Sequence, residues 1–272
     1  MLPSSVLGQS VLVALVCLVG AASAGCRAGE PPTRSRAEAL SASARSVPTV
    51  APAPAPPPPP SPPSLPPPPE NAVVETLAVG SDVPASLVRS ADGSAPRVVF
   101  LPGLCSNANA YLQSFPEAAR RAGGTVALEG DQPCMPGFRS FSWDATKLHA
   151  RIEAATRAAG VASSAPLTLV GYSQGAALAE QLVQRYPERY ARIVLIGAPT
   201  EPSAAKLAPA RAVVTMSCSR DVPARMKEAS RRLARAGVPS TYVEMPGCTH
   251  GNIAEGERVF DEAFAWLDGN AR

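Results

Sequence analysis

The residues of this chain best suited to chemistry are a serine and a histidine that lie far apart in sequence. Ser173 sits in Gly171-Tyr-Ser-Gln-Gly175, preceded by the apolar run Leu167-Thr-Leu-Val170 and followed by Ala176-Ala-Leu-Ala179. An apolar strand pattern that runs into Gly-x-Ser-x-Gly and continues with helical spacing describes a sharp strand-to-helix turn. The flanking glycines remove Cβ atoms where backbone segments must approach, and the serine hydroxyl is left exposed as a nucleophile. The motif is short enough to recur by chance, so the strand before it and the helix after it carry the inference. A serine hydroxyl is a weak nucleophile at neutral pH and needs an imidazole to take its proton. The chain offers two histidines, His149 and His250. His149 falls inside the helical stretch 144–159, ahead of the serine, and reads as structural or solvent-exposed.

The same count excludes a multi-histidine metal site. No glycine loop of phosphate-binding spacing is present either, so neither a metal nor a cofactor is expected. The formal net charge is +3 and the arginines are scattered instead of forming a stripe, which does not point to nucleic acid.

The elements that must position these residues lie in the C-terminal three quarters of the chain. Short apolar runs at 97–101, 125–128, 167–170, 192–196, 212–216 and 241–245 read as strands, and their continuous apolar character is that of parallel strands buried on both faces. Helical spacing occupies 110–122, 144–159, 174–186, 226–236 and 255–267. An antiparallel hairpin is expected ahead of them, from 73–79 and 85–89. Such alternation predicts an α/β chain with a doubly wound, mostly parallel sheet and helices on both faces.

The N-terminal residues divide differently. An apolar run over 6–19 leads into small residues and then Cys26, the pattern of an export signal over 1–25, although no Lys or Arg precedes it. Two processing schemes fit: Ala22-Ser-Ala24 suits ordinary cleavage, while Ser23-Ala-Gly-Cys26 resembles a bacterial lipobox, in which Cys26 would carry a lipid and anchor the chain to a membrane in the cell envelope. Without the lipid, the product would be secreted or periplasmic. Residues 26–70 form a linker whose Pro-rich part, 48–69, favours extended polyproline II and cannot build a core. The remaining residues, 71–272, suffice for one domain.

Three motifs give that domain a resemblance to the α/β-hydrolase superfamily, nearest its small carboxylesterase, phospholipase and thioesterase branch. They are Leu101-Pro-Gly-Leu104, Gly171-Tyr-Ser-Gln-Gly175, and the pair Ser219-Arg-Asp221 with Pro246-Gly-Cys-Thr-His250. The resemblance implies the chain order serine, acid, histidine. His250 is the only histidine after Ser173, and Asp221 the only aspartate between them. Asp221 would then orient His250, with Glu244 as the alternative acid. The resemblance also implies an oxyanion hole built from the Gln174 N–H and one from the loop after an early strand, from Leu104 or else Cys105.

Four cysteines beyond Cys26, at 105, 134, 218 and 248, are an even set suited to disulfides in an exported chain. The strand order of the family implies Cys105–Cys134 and Cys218–Cys248. The connection 196–211, where many family members insert a helical cap, is short, which implies an open site without a large cap domain. Phe138, Phe141 and Trp143 cluster past a strand end and are candidates for the substrate pocket. The resemblance, with the export signal, thus leads to the expectation of an exported serine hydrolase acting on carboxylic esters, its partner a small-molecule or lipid-like ester substrate, with a serine peptidase or a non-catalytic binding lipoprotein as alternatives.

Overall fold

The computed structural model describes residues 71–270. The expected signal segment 1–25, Cys26 and the Pro-rich linker to residue 70 lie outside the described residues.

Continuous apolar runs become strands buried on both faces. The elements are β1 (Glu75–Leu77), β2 (Ala85–Val88), β3 (Val98–Leu101), α1 (Ala108–Leu112), α2 (Pro116–Arg121), β4 (Thr125–Ala127), β5 (Gln132–Met135), β6 (Phe138–Ser140), α3 (Ala145–Ala158) and β7 (Thr168–Tyr172). They continue as α4 (Gln174–Arg185), β8 (Arg192–Ile196), α5 (Ala204–Leu207), β9 (Ala212–Cys218), α6 (Pro223–Arg235), β10 (Ser240–Met245) and α7 (Gly256–Asn270). Eight strands form one sheet in the order β1-β2-β4-β3-β7-β8-β9-β10. From β4 onward neighbours pair in parallel, whereas β1 pairs with β2, and β2 with β4, antiparallel, so the expected hairpin is present at one edge.

Strand alternation sorts the apolar residues into two layers. Along β3, Val99 and Leu101 face the layer that contains Leu148 and Ile152 of α3 and Leu178 and Leu182 of α4. Val98 and Phe100 face the other, with Leu112, Phe115 and the α7 residues Val259, Phe260 and Phe264. Each layer excludes water from one face of the sheet, and the strand ends are left as the accessible ground for chemistry.

Two local readings are corrected. The helical spacing over 110–122 does not give one helix. Pro116 lacks an N–H and its ring crowds the carbonyl of the preceding turn, so α1 ends at Leu112 and α2 begins with Pro116 at its first position. The segment 132–140 is a second, two-stranded hairpin, β5–β6, which the sequence reading did not anticipate. It is held to the rest by the Cys105–Cys134 disulfide and by reciprocal 2.9 Å hydrogen bonds between the Ser106 and Arg139 backbones. The connection from β8 to β9 holds only the four-residue α5, so no large cap covers the strand ends.

α5 is tied down by a buried acid. Glu180 of α4 is 3% exposed and accepts the Ser203 N–H at 3.2 Å. Burial holds its carboxyl above the ordinary range. Ionisation is therefore less favourable in the folded state. Stability is undiminished below the unfolded-state pKa of about 4.3 and is lost as pH rises through the higher folded value. A Glu180→Gln chain, which keeps a carbonyl to accept the Ser203 N–H, is expected to show a higher urea midpoint than the wild type at pH 7, the difference vanishing towards pH 4. Phe260, fully buried and stacked on Phe115 with centroids 3.7 Å apart, is the corresponding apolar test. Phe260→Ala is expected to cost about 3–5 kcal/mol in the same titration.

Candidate active site

Ser173 occupies the single residue between β7 and α4, with φ +51° and ψ −112°. A left-handed φ is costly for a residue with a Cβ and persists only where the surroundings enforce it. Here three glycines make the enforcing contacts possible. A Cβ on Gly171 would lie 2.5 Å from the Gly175 carbonyl oxygen, one on Gly175 would collide with the Leu101 carbonyl, and one on Gly103 would press on the Ser173 Cβ at 3.2 Å. The Ser173 N–H is bonded to the Ile196 carbonyl at 2.8 Å, which anchors the turn to the end of β8.

The turn aims the hydroxyl at His250. Ser173 Oγ lies 3.0 Å from His250 Nε2, and His250 Nδ1 lies 2.7 Å from Asp221 Oδ2. The structure thus brings the three residues into one hydrogen-bonded row. The Asp221 side chain is 9% exposed and that of His250 is 45% exposed, so the acid end of the row is shielded and the base end is open to solvent. A carboxylate on Nδ1 keeps the proton on that nitrogen and leaves Nε2 free to accept from the serine. Gly197, at φ +50°, gives the row room, since a Cβ there would stand 2.9 Å from Asp221 Oδ2 and 3.2 Å from His250 Nδ1.

Asp221 and His250 follow the adjacent parallel strands β9 and β10. Their loops are stitched together by the Cys218–Cys248 disulfide, by Gly247 N–H to Ser219 Oγ at 2.9 Å, and by Arg220 N–H to the Cys248 carbonyl at 3.1 Å. Both disulfides therefore join the expected partners. Glu244, the alternative acid, lies within β10 and is engaged by Lys227 at 2.8 Å, which holds its carboxyl below the ordinary range. His149 is structural: it stacks on Tyr186 with centroids 3.8 Å apart and its Nδ1 is 2.7 Å from the Tyr190 hydroxyl. Burial lowers its pKa.

Of the two amides considered beside the serine, that of Cys105 is directed at Ser140 Oγ at 2.9 Å. The Leu104 N–H has no acceptor among the described residues, and neither does that of Gln174, at the first position of α4, where helix amides are unpaired by geometry. The aromatic candidates separate. Phe138 is 42% exposed beside Leu104, and Trp143 is 61% exposed. Phe141 does not line an open pocket: it is 3% exposed and packs in the α3–α4 core layer. It is drawn inward because the Gln174 side chain grips its backbone from both sides, Oε1 accepting its N–H at 3.0 Å and Nε2 donating to its carbonyl at 2.8 Å.

A pair of tyrosines was not legible beforehand. Tyr172 and Tyr111 stack with centroids 5.2 Å apart and hold both polar groups of Gly251, next to His250. The Tyr172 hydroxyl accepts the Gly251 N–H at 2.7 Å, and the Tyr111 hydroxyl donates to the Gly251 carbonyl at 2.9 Å. Burial raises the pKa of both phenols, so they remain neutral hydrogen-bonding groups.

No protein-family model and no curated protein matches the sequence. Solved structures do match. A CIB-like hydrolase from Thermoplasma acidophilum is similar with a TM-score of 0.54 at 17% identity, covering 73% of this chain and 98% of that one. The chain has the α/β-hydrolase fold. The fluorophosphonate-binding serine hydrolase FphF of Staphylococcus aureus (TM-score 0.53, 10% identity, 72% and 98% coverage) and esterase PE8 (0.50, 21%, 68% and 98%) are similar to the same extent. On this α/β-hydrolase scaffold the β7–α4 turn, the β9 end and the β10 end meet on one side of the sheet.

Removing the Tyr172 hydroxyl leaves the Gly251 N–H without its acceptor. Tyr172→Phe is expected to destabilise the chain by about 1 kcal/mol, with faster amide hydrogen exchange concentrated at 249–252. Exchange unchanged in that loop would show that the phenol does not hold it.

Proposed function

We propose that this chain is an exported serine hydrolase that cleaves carboxylic esters through an acyl-enzyme. The observation that carries this reading is the continuous row Ser173 Oγ, His250 Nε2, His250 Nδ1, Asp221 Oδ2, with links of 3.0 and 2.7 Å. His250 takes the Ser173 proton as Oγ attacks the ester carbonyl carbon. The carbonyl electrons move onto oxygen, and the Leu104 and Gln174 amides, both without an acceptor among the described residues, donate to the oxyanion. Collapse breaks the bond to the alcohol oxygen, which leaves with the proton from His250. Water then gives a proton to His250 and attacks the acyl carbon, and collapse releases the acid while Ser173 Oγ regains its proton. Asp221 holds the imidazole in the required tautomer and stabilises it while it is charged.

The fold likeness to an esterase and to a fluorophosphonate-binding serine hydrolase supports the assignment. Export is supported by the N-terminal apolar run and by the two disulfides, a bond type that persists in oxidising compartments. Cys26 is the residue that would bear a lipid and anchor the chain to the envelope membrane.

A fluorophosphonate probe is expected to label the wild type at Ser173 and to leave Ser173→Ala unlabelled. Asp221→Asn is expected to retain the fold, judged by thermal melting, and to lose about 10⁴-fold in kcat on p-nitrophenyl esters. An unlabelled wild type would overturn the enzyme reading, and hydrolysis of peptide amides faster than of esters would overturn the substrate class. Mass spectrometry of the mature N-terminus is expected to find a lipidated Cys26; an unmodified terminus at Gly25 would exclude the anchor.

A further inference from the structure

A groove of about 420 Å³ opens between the loop after β3 and the residues that follow His250. It begins at Leu104, whose neighbour Gly103 lies against Ser173, and runs to Gly251, Asn252 and Ile253, which follow His250. Ala110, Tyr111 and Phe138, the first residue of β6, also line it.

Two properties of this groove limit what can occupy it. None of its lining residues is charged. Each of its polar side chains already donates a hydrogen bond to a carbonyl of the protein itself: Ser106 to Gly103, Asn107 to Gly137, Tyr111 to Gly251, Ser114 to Ala110 and Asn252 to Thr249. A charged group entering here would give up part of its water and find no counter-charge among the lining residues. An apolar group would cover Leu104 and Phe138, which are 64% and 42% exposed, and gain by that burial. The neighbouring hollow of about 620 Å³, across Phe138, differs in kind, since Glu129 and Arg139 line it.

The wall is built before any ligand arrives. The β5–β6 hairpin that carries Phe138 is tied to the loop after β3 by Cys105–Cys134, by the Ser106–Arg139 backbone pair, by Cys105 N–H to Ser140 Oγ, and by Asn107 Nδ2 to the Gly137 carbonyl. The same loop carries the Leu104 amide, so apolar wall and oxyanion donor share one rigid piece.

We propose that this groove binds an uncharged, apolar arm of the ester and that Phe138, on its disulfide-tethered hairpin, sets that preference. The inference rests on the ester-hydrolase reading given above. The arm belongs to the acyl half or to the alcohol half of the ester, and the two are separated by two substrate series on the full chain. In the first, kcat/KM is compared for p-nitrophenyl hexanoate and acetate; in the second, for hexyl and ethyl acetate, followed by acid release.

Phe138→Ser is expected to lower the long-to-short ratio about tenfold in one series, through KM more than kcat, while fluorophosphonate labelling shows that its Ser173 site is intact. Phe138→Lys is expected to raise the rate on a p-nitrophenyl hemisuccinate relative to the butyrate. Ratios unchanged in both series, or a wild type that prefers the hemisuccinate, would overturn the proposal. A separate binding measurement distinguishes this from failure of the enzyme reading. Even if Ser173 were unreactive, 1-hexanol is expected to shift the amide resonances of Leu104, Tyr111 and Gly251, and butylammonium is not; equal shifts from the two would overturn it.

Discussion

The left-handed backbone of Ser173 is the constraint on which the rest of this molecule depends. A residue with a Cβ does not rest at φ +51° unless its neighbours leave it no alternative. The chain removes alternatives by packing three backbone segments closer than side chains would permit. Gly171 and Gly175 let β7 and α4 fold sharply against the end of β3, and Gly103 brings the following loop onto the serine. The core layers above and below the sheet supply the stability against which this local cost is set. The same crowding brings the Gly103–Leu104 segment and Gln174 to the serine, and the Leu104 and Gln174 amides have no acceptor among the described residues.

A second principle is that the histidine loop is held from several directions, while the imidazole stays accessible. The Cys218–Cys248 bridge restrains it from the strand side, and the Tyr111–Tyr172 stack grips its next peptide from the helix side. Gly197 leaves space for the acid beneath it. Tyr172 is the last residue of β7, so the strand that leads into Ser173 also steadies the loop of His250. Preorganisation of this kind lowers the cost of aligning groups when a substrate binds.

Much of this was legible in the sequence because it depends on local pattern. Runs such as Arg192-Ile-Val-Leu-Ile196, short and rich in β-branched residues, read as strands with both faces covered, and the turn around Ser173 declares itself through its glycines. The order of Ser173, Asp221 and His250 left little choice of partners once the resemblance was drawn. What stayed hidden depends on distance. Tyr111 meets Gly251 from 140 positions away, and Gln174 reaches Phe141 across 33, and neither pairing leaves a periodic trace. Phe141 was misplaced for that reason: its aromatic type suits a pocket, but the grip of Gln174 turns it into the core. The β5–β6 hairpin was missed because none of its residues is buried and Pro133 interrupts its pattern, so it shows neither the alternation nor the apolar run by which strands are read.

That hairpin has an evolutionary consequence. No residue of β5 or β6 belongs to either core layer, and covalent and backbone ties to one loop hold the hairpin in place. Substitutions on its outer face therefore escape the packing penalties that restrain the sheet. Selection can rewrite this hairpin without renegotiating the fold, which leaves it free to diverge as its surroundings change.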